Sequence, residues 1–350
     1  MQDSLFPEAD TAPPAPEPSR KRSRDAGVEA APAPPALPAL RAALPAHLRL
    51  GTSSWSYPGW IGSVWAREYG ESKLSKQGLR AYAQHPLLRT VSLDRAFYQP
   101  LEAVQYATYA AQVPDDFRFV VKAPGLVADA LRRDENGRGQ AVNPLFLDPT
   151  LAVESFAQPA LDGLRHRLGA LVFQLSPVPD LLLRDRANLL RRLGEMLRAL
   201  PRLQPLAPDA VIAVEVRNPE WLGADFVAVL REAGATYCLG LHAKMPPIED
   251  QLPILRALWP GPLVCRWNLH RKHGAYGYEE ARRLYGDFDR LVDPDVETRM
   301  ALARVIKATT AAGFPAYVTL GNKAEGSAPL SVVALAEAVA GAPRPAVAPT

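Results

Sequence analysis

The stretch HLRLGTSSWSYPGW, residues 47–60, decides the architecture. It reads as a short strand over residues 47–53 that passes straight into a segment rich in Ser, Gly and Pro. A doubly wound parallel sheet would place a glycine-rich phosphate loop here. Neither G-x-G-x-x-G nor G-x-x-x-x-G-K-[ST] follows the strand. Three large aromatics follow instead: Trp55, Tyr57 and Trp60. Such residues either plug one end of a core or form the wall of a pocket.

Seven further runs of apolar, β-branched or aromatic residues have strand length: 89–94, 117–122, 169–175, 210–217, 235–241, 262–268 and 315–321. Segments with helical spacing separate them, the clearest being 101–112, 151–165, 184–200, 226–233, 250–258, 297–312 and 331–340. Eight strand–helix units over about 295 residues predict an α/β fold, a (β/α)₈ TIM barrel forming a single domain over residues 47–341. Several helix-to-strand connections, such as 113–116, 233–234 and 312–315, are tight. Three strand-to-helix connections, 54–74, 123–149 and 269–296, are long. In a barrel the long ones gather at the C-terminal rim, where Trp55, Tyr57 and Trp60 are expected to line or cover the mouth.

The flanks differ in composition. Residues 1–46 hold ten of the 35 prolines, many alanines and the basic cluster Arg20-Lys21-Arg22-Ser23-Arg24, a mixture that reads as a disordered tail. Residues 342–350 read as a second one. Over 350 residues, 48% hydrophobic and 22% charged, the net charge is only +3, so no broad field for nucleic acid or membrane follows. No signal core or membrane span is present in the sequence. Cys238 and Cys265 each sit in an apolar run, which fits buried thiols in a reducing, cytoplasmic setting and no disulfide-linked partner.

Polar residues collect where the strands finish: Ser92 and Asp94, Lys122, Gln174, Glu215 and Arg217, Arg266 and Asn268, Asn322 and Lys323. Residues two apart on a strand share a face, so Glu215 pairs in direction with Arg217, and Arg266 with Asn268. One reading is a polar network that closes the top of the core. The other is a pocket, favoured because a purely structural barrel fills those layers with apolar side chains. Lys122, Arg217 and Arg266 would surround an anion, with Gln174, Asn268 and Asn322 orienting it. Glu215 is the candidate acid or base, and Lys122 an anion anchor or an amine able to form a Schiff base. A metal would need Asp94, Glu215, His242 and His270 to converge. No H-E-x-x-H or similarly tight spacing supports that, so neither metal nor cofactor is predicted. His270-Arg271-Lys272-His273 falls in the longest rim loop, and no G-x-S-x-G elbow occurs.

The runs GTSSWSYPGW, VSLDRAFYQP, FRFVVKAP, LGALVFQLSP, AVEVRNPEWL, VCRWN and GNKAEGSAP together resemble the YecE-like family, domain of unknown function 72, across about residues 48–341. The resemblance implies a TIM barrel in a bacterial cytoplasm. It also implies that Lys122, Gln174, Glu215, Arg217, Arg266 and Asn322 are the family's recurrent polar positions, beside the aromatics Trp55, Tyr57, Trp60, Phe97, Tyr98 and Trp221. Ser92 and Asp94 stand where the family usually has Glu and Asn, Asn268 where a His is common, and Gly321 in place of an Asn. The expectation is a metal-independent enzyme acting on a small anionic or sugar-like molecule at the rim. A sensor without turnover and a metal-dependent isomerase-like or nuclease-like enzyme are the alternatives.

Overall fold

Alternation along each strand decides what fills the barrel. The computed structural model describes residues 27–134, 138–274 and 277–341. Its eight parallel strands are β1 (Leu48–Thr52), β2 (Leu88–Leu93), β3 (Arg118–Lys122), β4 (Leu168–Gln174), β5 (Val211–Glu215), β6 (Thr236–Leu241), β7 (Leu263–Trp267) and β8 (Ala316–Leu320). Each pairs with its neighbours in sequence, and β8 closes onto β1. The expected strands are observed to within two residues at either end, and the fold is the closed (β/α)₈ barrel.

One set of alternating residues packs inside the barrel: Val120, Ala170, Val172, Ala213, Cys238, Val264 and Tyr317. The other set, including Phe119, Leu171, Phe173, Val214, Leu239, Cys265 and Val318, belongs to the larger core beneath the helices. Cys238 and Cys265 are free, buried thiols on opposite faces of this wall. Space is short where the strands converge. A Cβ on Gly51 would lie 1.8 Å from the Thr90 carbonyl oxygen, so β1 and β2 approach closely only because Gly has none.

The long helices start where the chain supplies a cap. Asp185 accepts from the Asn188 amide at the head of Arg186–Ala199, and Asp295 accepts from Thr298 at the head of Val296–Ala311. Within the rim loop after β3, Leu131–Arg133 and Gly139–Val142 form an antiparallel hairpin that the sequence reading did not anticipate. Among the described residues no helix is long and apolar enough to cross a membrane.

The expected N-terminal tail needs correction in part. Residues 1–26, with the basic cluster, lie outside the described residues, as do 342–350. Residues 27–46 are structured: the Ala31 amide bonds the Val64 carbonyl, the Ala66 amide bonds the Glu29 carbonyl, and Ala36–Ala42 is a helix. Proline bias did not prevent this. Leu44 is buried, while Leu37 and Leu40 pack half-buried against the core, so three leucines anchor an otherwise alanine- and proline-rich segment.

Candidate functional site

Extending the inner-face alternation two residues beyond the core layer produces the site. Val120 is followed by Lys122, Val172 by Gln174, Ala213 by Glu215 and then Arg217, and Val264 by Arg266 and then Asn268. These side chains meet at the C-terminal end of the barrel. Lys122, Gln174, Arg217, Arg266 and Asn268 border a cavity of about 340 Å³ lined also by Ser53, Tyr57, Asp94, Tyr98, Tyr278, Gly321, Asn322 and Lys323.

Beneath it lies a charge network. Glu215, with no exposed surface, binds Arg217 through Oε1 at 2.6 Å and Arg266 through Oε2 at 2.7 Å. Arg266 reaches on to Asp94 at 2.8 Å and donates to Gln174 Oε1 at 3.1 Å. Ser92 donates to the other Asp94 oxygen. Burial by itself pushes the Glu215 carboxyl up, but Arg217 and Arg266 outweigh it and hold the group below its ordinary value. For Asp94 burial likewise raises and Arg266, Lys122, Ser92 and Arg217 lower, with the same net result.

This changes the expectation for Glu215 as an acid or base. It does not border the cavity, both oxygens are committed to guanidinium groups, and its ionised form is the favoured one. Gly240 makes room for it: a Cβ there would lie 3.3 Å from Glu215 Cγ.

Lys122 differs from the arginines. Its Nζ lies 3.6 Å from the centroid of the Phe97 ring and makes no hydrogen bond or ion pair among the described residues. Burial, supported by Arg266 and Arg217 against the opposing pull of Asp94 and Glu215, lowers its pKa to about 8.

The aromatics separate into two groups. Tyr57, Tyr98 and Tyr278 border the cavity, with Tyr98 86% exposed at its edge. Trp55, Trp60 and Trp221 do not; all three are buried in the core. Trp55 donates to the Leu74 carbonyl and packs edge-on against Tyr109, while Trp221 packs against Phe226. Trp60 acts at one remove. Its Nε1 donates to Asn322 Oδ1 at 3.1 Å, and the Ala328 amide donates to the same oxygen at 2.8 Å, which fixes the Asn322 amide at the cavity wall. The opening segment therefore contributes both packing and wall.

The four potential metal ligands do not form a cluster. Among the described residues no three His, Cys, Asp or Glu side chains come together as a metal-holding group. His242 is buried against the Tyr278 ring, and burial with Arg217 nearby lowers its pKa to about 3. His270 lies beside Asp295 in the rim loop.

Ser53, Tyr278, Gly321 and Lys323 border the cavity without having been singled out as ligand-binding positions. Ser53 and Gly321 were legible from alternation, lying two residues past Gly51 and Thr319. Tyr278 carried only the signal of an aromatic in a long rim loop.

The sequence profile of the family described as "Protein of unknown function DUF72" matches residues 49–350. The chain belongs to the DUF72 family. A DUF72 family protein of Enterococcus faecalis is similar in structure, with 18% identity and a TM-score of 0.53, over 83% of this chain and 95% of that one. A DUF72 family protein of Thermotoga maritima gives 19% identity and a TM-score of 0.47, over 82% and 97% of the two chains. Likeness at that identity concerns the fold. No curated protein matches this chain. In this DUF72 barrel Asp94, at a position where the resemblance led us to expect Asn, supplies the second carboxylate for Arg266.

Proposed function

We propose that the rim cavity binds a small anionic metabolite and that the protein is an enzyme acting on it without a metal. The observation that carries this reading is a charge excess. Lys122, Arg217, Arg266 and Lys323 bring four cationic groups to a cavity whose floor and wall hold only two carboxylates, Glu215 and Asp94. Two buried donors, Arg217 Nη1 and Asn322 Nδ2, have no acceptor among the described residues. With the cationic excess beside them, they favour a carboxylate or phosphate in the cavity, toward which small side-chain movements would turn them. The cavity volume is at the small end of the range for metabolite sites, and Tyr57 and Tyr278 offer ring faces for the remainder of the ligand.

In this reading Glu215 holds Arg217 and Arg266 in place, Gln174 and Asn268 orient the ligand, and Lys122 is the group closest in character to a reactive centre. The test is calorimetric titration with small carboxylates and phosphate esters, with and without chelator. Binding that persists with chelator supports the reading, and binding of neutral polyols alone contradicts it. Consumption of the bound compound separates an enzyme from a sensor.

A further inference from the structure

We infer that Lys122 is an amine nucleophile that forms an imine with a small carbonyl-bearing anion in the rim cavity, an inference that rests on the anion-binding reading above. The substrate class is then an aldehyde or ketone carrying a carboxylate or phosphate.

Position comes first. Lys122 ends β3 on the inner face, borders the cavity and remains partly exposed to it. Its amine makes no hydrogen bond or ion pair among the described residues. Asp94, the acid that acts on it most strongly, has one oxygen on Ser92 and the other on Arg266. A lysine retained only for stability would be expected to hold a carboxylate of its own. Instead the Nζ is held over Phe97, whose ring packs against Gly125 in the segment after β3. A Cβ at Gly125 would stand 3.2 Å from Phe97 Cζ, so this close packing depends on Gly. An aromatic face restrains the position of the amine; because it also favours the ammonium, it is burial that frees the neutral form.

Burial then makes the amine available. With its pKa near 8, roughly a tenth of Lys122 is the free amine at neutral pH, against a negligible fraction for an ordinary lysine. Arg217 and Arg266 disfavour the ammonium and, by holding the substrate's anionic group, fix the carbonyl carbon within the same cavity.

The chemistry balances without a further reactant. The neutral amine attacks the carbonyl carbon, a C–N bond forms, and as the nitrogen gives up a proton the carbonyl oxygen gains one, which leaves a neutral carbinolamine with a lone pair on nitrogen. Protonation of that hydroxyl breaks the C–O bond, and water leaves as the nitrogen lone pair forms the protonated imine. Tyr57 and Tyr278 border the cavity, and burial raises both pKa values, keeping their hydroxyls in the proton-donating form. Lys323 is the competing amine. It borders the same cavity but lies beyond β8, 5.6 Å from the Tyr278 ring centroid and 5.8 Å from that of Phe288, farther than Lys122 lies from Phe97, and burial lowers its pKa as well.

The test is reductive trapping on the full chain. The protein is incubated separately with pyruvate, glyoxylate and dihydroxyacetone phosphate, reduced with borohydride, weighed intact and mapped by peptide mass. The expected result with at least one probe is a single adduct, of mass equal to the probe less one oxygen, located at Lys122. It should fall at least about tenfold in Lys122→Arg. An adduct at Lys323, or one spread over surface lysines, overturns the inference, and mapping on the unmodified protein decides this even if the variant fails to fold. Parallel titrations with lactate and glycerol 3-phosphate, which lack the carbonyl, separate the two readings. Binding of these without trapping of any probe overturns the imine step alone; neither binding nor trapping overturns the anion site as well.

Discussion

Glu215 on β5 and Arg266 on β7 are not carried by adjacent strands, yet they meet across the barrel interior at 2.7 Å with both side chains buried. The strand between them contributes Gly240, whose missing side chain leaves the space the carboxylate occupies. Because Glu215 also holds Arg217, one carboxylate compensates two buried guanidinium groups.

Replacing that carboxylate is therefore expected to be costly for folding. Glu215→Gln keeps the shape but leaves Arg217 without an ionic partner and Arg266 with Asp94 alone. A loss of about 3 to 5 kcal/mol is expected. Chemical denaturation measures it as a lower midpoint at unchanged slope. A loss of about 1 kcal/mol or less would mean that water reaches the pair and that the structural assignment of Glu215 is wrong.

Acid should loosen the same network. Asp94 and Glu215 are both held below their ordinary values of 3.8 and 4.5. The unfolded chain then takes up protons first as pH falls, so the stabilisation is complete above the unfolded values and is lost progressively through and below them. Urea midpoints should be level down to about pH 5 and decline below it, with a shallower decline in Asp94→Asn. Parallel profiles for the two proteins would contradict the placement of Asp94.

Lys122 has the opposite consequence at high pH. Its folded pKa lies near 8, below the ordinary 10.5, so between those values the unfolded chain binds the extra proton and stability rises with pH. Asp94, Glu215, Arg217 and Arg266 act on the amine throughout. Measured against Lys122→Met, the unmodified protein should gain stability between about pH 8 and 10. An identical pH dependence would show that the amine is as solvated as any surface lysine.

Arg217 should matter for anions more than for other ligands. Its Nη1 is a buried donor with no acceptor, so Arg217→Gln is expected to weaken carboxylate or phosphate binding at least about tenfold, read by calorimetry. Unchanged affinity would remove Arg217 from the site.

A chain starting at Ala46 is expected to be less stable than one starting at Gly27. It loses the backbone bonds to Val64 and Ala66 and the contacts of Leu37, Leu40 and Leu44, together worth about 2 kcal/mol or more. Equal melting temperatures would show that the segment merely rests on the barrel.

The sequence by itself determined the eight strands and the parity of their side chains, because strand alternation is a local property of the backbone. Once the inner face was assigned, Lys122, Gln174, Glu215, Arg217, Arg266 and Asn268 necessarily converged. It could not rank them. Only the closed barrel brings Arg266 to Glu215 and Asp94 at once, and that pairing turns a candidate acid into a buried counterion while leaving Lys122 as an unpaired amine. Nor could it divide the aromatics. Trp60 and Tyr57 are three residues apart in one loop, but Tyr57 borders the cavity whereas Trp60 spends its indole N–H on Asn322, 262 residues along the chain. Local pattern reports which face a side chain occupies; whether that face meets water, a partner or an opposing charge depends on residues from distant strands, and packing decides it.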